Sequence, residues 1–143
     1  MFLLGLMTQI RLDDSPCEMR DENVKANEYL CRRVALQDVV GAHVAAFNKA
    51  KHLKFDTFII SAKTPIQEED LKELRANYPS VTFADIVRKY YGTDFEETYK
   101  KLGWKMSDDI DRVYISRKAE KLLDFTPSYN FGEHLQALKD KAK

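Results

Sequence analysis

The chain has 143 residues, 44% of them hydrophobic and 32% charged, the balance of a soluble globular domain and not of a disordered segment. That length makes one domain, or part of a larger one, and is enough to bury a sizeable core. Lys plus Arg and Asp plus Glu number 23 each, so no global field pulls the chain toward nucleic acid or an anionic membrane, and neither is expected as a partner.

The opening MFLLGLM is apolar, but it is too short to cross a bilayer and lacks the basic leader and cleavage site of a signal peptide. Arg11 to Lys25 is polar, with Pro16 inside it, and reads as a loop. Residues 1–29 are therefore an expected N-terminal extension, and 30–143 the domain proper. Cys17 and Cys31 have no metal-ligand spacing and read as free thiols in a reducing, cytoplasmic setting.

Leu30 to Leu36 is a strand candidate, with Leu30, Val34 and Leu36 on one face. A helix is expected from about Asp38 to Ala50, where the Asp38 carboxylate suits the helix N-terminus. Val40, Val44 and Phe47 fall at helical spacing, with small Gly41, Ala42, Ala45 and Ala46 beside them to allow close packing. Phe55 to Ala62 is the best strand candidate, and the run Phe58-Ile59-Ile60 predicts a segment covered on both faces, as in a central parallel strand.

After Thr64-Pro65, the acids Gln67-Glu68-Glu69-Asp70 bring in start a helix that buries Leu71 and Leu74. Phe83, Ile86, Val87 and Tyr90 mark an amphipathic helix stopped by Gly92. Thr93 and Glu96 have capping-box spacing for a helix burying Phe95, Tyr99 and Leu102 and ended by Gly103. Val113 to Ile115 is a brief strand. Ser116 caps a helix with Ala119, Leu122 and Leu123, and Asn130 with Glu133 opens a last helix.

Several chemistries leave no mark in the sequence. It has five glycines, unclustered, and no dinucleotide or P-loop signature. His43, His52 and His134 lack ligand spacing. Tyr114 and Lys118 have the Tyr-x-x-x-Lys spacing of short-chain reductases, but the tyrosine sits in a brief strand and the lysine in the next helix, so they do not share one helix face. His43 reads as a core histidine, Trp104 as a packing anchor, and Tyr90-Tyr91 as cover for the core edge.

The run Leu36-Gln37-Asp38-Val39-Val40-Gly41-Ala42-His43, the strand end Ile60-Ser61-Ala62, and the stretch from Lys118-Ala119 to Thr126-Pro127 occur in that order. Over about residues 30–138 the chain resembles the C-terminal, substrate-side half of extended short-chain dehydrogenase/reductases, the NAD-dependent epimerase/dehydratase family. The resemblance implies an α/β fold in which partial Rossmann-type parallel sheet elements adjoin a helical substrate-binding lobe. It implies NAD(P) for intact family members and no cofactor for this chain alone. The implied partners are a nucleotide-sugar or related small molecule, and a chain that completes the sheet.

By the same resemblance, Arg112, Arg33 and Arg32 are the candidate substrate-binding residues, since guanidinium groups grip phosphates bidentately. The other reading of Arg112 is an ion pair with Asp109 or Asp111. Cys31, Ala35, Ile115 and Asp124-Phe125 depart from the family pattern. No catalytic residue is assigned. The function implied is a substrate-binding part that does not catalyse alone. The alternative is a small protein-protein interaction module whose exposed apolar face serves a partner.

Overall fold

The computed structural model describes residues 21–141. Among them are seven α-helices and no strand. This overturns the expected α/β fold with Rossmann-type parallel sheet elements, and with it the short-chain reductase architecture. MFLLGLM, Cys17 and the first part of the loop expected over Arg11 to Lys25 lie outside the described residues. The last part of that loop, Asp21 to Lys25, is helical.

The first helix, α1 (Asp21–Glu28), buries Ala26, Asn23 and Asn27. Asn23 Nδ2 donates to the Lys105 carbonyl at 2.7 Å, and Lys105 N–H donates back to Asn23 Oδ1 at 2.8 Å. The side-chain amide thus satisfies loop backbone that would otherwise be costly to bury. The strand expected over Leu30–Leu36 does not form. The amides of Cys31, Arg32 and Arg33 instead fold back onto the Glu28 carbonyl, and Leu36 already belongs to the next helix.

That helix, α2 (Leu36–Leu53), is followed by α3 (Glu68–Asn77), α4 (Phe83–Tyr91), α5 (Asp94–Leu102), α6 (Arg117–Leu123) and α7 (Phe131–Lys141). Reciprocal capping boxes start α3 and α4, through Gln67 with Asp70 and Thr82 with Asp85. Gly92 and Gly103 end α4 and α5 at φ 61° and 67°, where a side chain would be strained. The box expected from Thr93 and Glu96 is absent. Thr93 has helical backbone (φ −89°, ψ −4°), and Glu96 pairs with Arg88 instead.

Two apolar clusters result. The larger draws Ala26 and Leu30, Leu74 of α3, Phe83, Ile86 and Val87 of α4, Phe95 and Tyr99 of α5, and Phe131, Leu135 and Leu138 of α7. Trp104 packs edge-on against Tyr99 (centroids 5.6 Å apart), the anchoring role expected of it. The smaller cluster joins Ala46 of α2 to Ala119 and Leu123 of α6, with Phe58, Ile60 and Phe125 against them.

The strands expected over Phe55–Ala62 and Val113–Ile115 also fail to form, and both stretches lie outside any helix or ladder. Phe58, Ile59 and Ile60 make no backbone-backbone hydrogen bond among the described residues. Ala62 N–H donates to the Arg33 carbonyl at 2.7 Å, and Tyr114 N–H to that of Cys31 at 2.7 Å. Single links of this kind position chain segments but do not make a sheet. The rest of the junction is side-chain work. Ser116 Oγ donates to the Ser61 carbonyl (3.0 Å) and accepts from Ser61 N–H (2.9 Å), so it is not free to cap α6.

Candidate functional site

The end of α1 and the segment before α6 bring the three candidate arginines into one ion network. Arg33 reaches Glu28 Oε2 at 2.7 Å. Arg32 lies 3.3 Å from Glu28 Oε1 and 3.0 Å from Asp111 Oδ1. Arg112 Nε donates to Asp111 Oδ2 at 2.8 Å, the ion pair weighed as one reading of that residue. Three guanidiniums therefore face two carboxylates, leaving one positive charge in excess.

Burial pulls the Asp111 carboxyl upward, but the hydrogen bond from Arg112 and the charge of Arg32 outweigh it, so Asp111 titrates below its ordinary value. Hydrogen bonds to Tyr114 and Asp111 hold the Arg112 guanidinium above its ordinary value. Beneath the network, burial pushes the Cys31 thiol up to about 12, which makes it a poor nucleophile or metal ligand. Glu28 is the member that sequence reasoning missed, although its spacing of four from Arg32 is the signal of a helical ion pair.

The other singled-out residues are spread through the fold. Lys118 lies in the first turn of α6, paired with Asp56, donating to the Thr57 carbonyl at 3.0 Å, and 5.1 Å from the centre of the Phe58 ring. Tyr114 lies outside any helix, before α6, so the two share no helix face. His43 is exposed and lies 2.7 Å from the Val39 carbonyl through Nδ1, which corrects its reading as a core histidine. His134 is the enclosed histidine. It stacks on Tyr29 with centroids 4.9 Å apart, and its Nε2 is buried without a hydrogen-bond partner.

An open cleft of about 260 Å³ lies between Lys63-Thr64-Pro65, Tyr91 and the start of α7 at Asn130 and Glu133. It is shallower than an enclosing small-molecule pocket, and none of the three arginines lines it. No group of three or more His, Cys, Asp or Glu among the described residues is placed to hold a metal. No described helix is long and apolar enough to cross a membrane.

The most unusual surface belongs to α2. Its small residues Ala42 and Ala46 face inward, whereas Leu36, Val40, Val44 and Phe47 are 74%, 54%, 55% and 80% exposed. These four fall at spacings of four, four and three, so they form one stripe along the helix. The apolar face of greater bulk therefore points outward. Phe55, Ile59 and Ile115 add further exposed apolar side chains.

No protein-family model, curated protein or solved structure matches this chain.

Proposed function

We propose that this chain is the substrate-binding part of a two-part enzyme, without catalytic activity of its own. In this reading a cofactor-carrying partner docks over the stripe Leu36, Val40, Val44 and Phe47. The outward stripe carries the proposal, because contiguous exposed apolar surface on a soluble domain marks an interaction site. The Arg32, Arg33 and Arg112 network is the proposed contact for an anionic substrate, such as a nucleotide-sugar, through its excess positive charge.

Equilibrium dialysis of the isolated chain against NAD tests this reading, and no binding is expected. Micromolar binding would overturn the division of labour. In parallel, light scattering should find self-association, and a hydrophobic dye should bind. A monodisperse monomer without dye binding would remove the docking role.

A second reading, a protein-protein interaction module with neither cofactor nor activity, draws support from the arginines themselves. Each is already engaged by Glu28 or Asp111. Calorimetry with UDP-sugars on the wild type and on Arg112→Ala separates the two. Heat that disappears in the variant favours substrate binding; absence of heat in both favours the module.

A further inference from the structure

We propose that the partner adds a β-strand along Phe58–Ile60, hydrogen-bonding this open backbone beside the exposed α2 stripe, and that the added strand carries acidic residues at its ends. The proposal rests on the docking reading of α2 and extends it to a second element with its own chemistry.

Phe58, Ile59 and Ile60 lie outside any helix, alternate between half-buried and exposed, and their backbone groups join no other backbone group among the described residues. The segment is nevertheless held in place. Phe58 and Ile60 pack on Ala46, Ala119 and Leu123, while Ile59 between them is 53% exposed. Lys118 fixes one end through the Thr57 carbonyl, and Arg33 fixes the other through Ala62 N–H. A segment pinned at both ends, alternating in and out, with unused donors and acceptors, is prepared for main-chain pairing with an added strand. Binding there loses little chain entropy on this side of the interface.

Charge defines the strand further. Lys54 and Lys63 bracket the segment in sequence, and Lys51 lies in the last turn of α2. None of these three has an ion-pair partner among the described residues, whereas the segment's one acid, Asp56, is taken by Lys118. An incoming strand with acidic ends meets uncompensated positive charge, and one with basic ends is repelled.

The test uses the full chain and an acetylated peptide about ten residues long, alternating valine and threonine and flanked by aspartates. The expected result is a shift of the Phe58, Ile59 and Ile60 amide resonances and slowed hydrogen exchange there. Lysine flanks should weaken binding about tenfold, and N-methylation of alternate peptide bonds about tenfold or more. Binding indifferent to N-methylation, or absent at millimolar peptide, overturns strand addition. Shifts confined to the Val40 and Val44 methyl groups also overturn it, while leaving the docking role of α2 intact. Dye binding and light scattering judge that role separately.

Discussion

The Phe125 ring lies directly against Gly41: a Cβ built on the glycine would stand 3.1 Å from Phe125 Cε2. This contact closes the groove between α2 and the chain that leaves α6. Alanine at position 41 should gain about 1 kcal/mol of helix propensity and lose a similar amount as the ring shifts. We expect Gly41→Ala to be close to neutral and Gly41→Ile to destabilise by about 2 kcal/mol or more, from overpacking. Urea unfolding measures this as a change in midpoint at constant m value. Equal midpoints for wild type and Gly41→Ile would contradict the packing account.

Asp38 is buried and ties α2 to the turn before α7, accepting the backbone N–H groups of Ser128 at 2.9 Å and Tyr129 at 3.0 Å. Removing the carboxylate strands two amides, each at a cost of about 1–3 kcal/mol. Asp38→Ala should therefore lose roughly 3 kcal/mol, and Asp38→Asn somewhat less, since one amide oxygen still accepts. Amide exchange at Ser128 and Tyr129 should accelerate in both variants, a local readout that general destabilisation does not reproduce.

Stability should depend on His134 at mildly acidic pH. Burial, with the charges of Lys141 and Arg33, holds its folded pKa below the unfolded value of 6.5. The folded state then takes up the proton later than the unfolded state as pH falls, so stability is whole above that value and declines below it. His134→Phe keeps a ring against Tyr29 and removes the buried, unpartnered nitrogen. The variant should show a flatter stability profile between about pH 7 and pH 5. An unchanged slope would assign the dependence elsewhere.

A second pH effect belongs to the start of α4. Thr82 donates to Asp85 through its backbone N–H (2.8 Å) and its hydroxyl (2.7 Å). These bonds, with the one from Arg88, hold the Asp85 carboxyl at about 2, against an ordinary 3.8. A depressed carboxylate contributes fully above its unfolded value and is lost as pH falls through the folded one. The stability gap between wild type and Asp85→Asn should thus close between about pH 4 and pH 2. The carboxylate is solvent-exposed, so the gap should be small and shrink in high salt.

The helices were legible where local chemistry decides them. Apolar spacing and Gly92 place a helix from Phe83 to about Tyr90, and α4 occupies Phe83–Tyr91. The sheet was misread because Phe58-Ile59-Ile60 encodes extended backbone, whereas a ladder requires a second segment in register. The α2 face was ambiguous for a related reason. Both its small and its bulky sides repeat at helical spacing, and only the Phe125 contact and α6 decide which one packs. The arginine network was half visible: Asp111 adjoins Arg112, but Glu28 stood in a region taken for an extension.

Ser61 and Ser116 lie 55 residues apart and place their hydroxyls 3.2 Å from each other in the buried junction. Their contact closes a long loop whose entropic cost falls due before the small cluster of α2 and α6 can repay it. Within the larger cluster, α3 with α4 and α4 with α5 are near neighbours in sequence and in contact. Assembly should run from that cluster outward, with the serine junction arriving after the rate-limiting barrier. Alanine at either serine should accordingly quicken unfolding in stopped-flow experiments while refolding keeps nearly its original rate. The surface proposed for docking would be the last part of the domain to mature and the first to open.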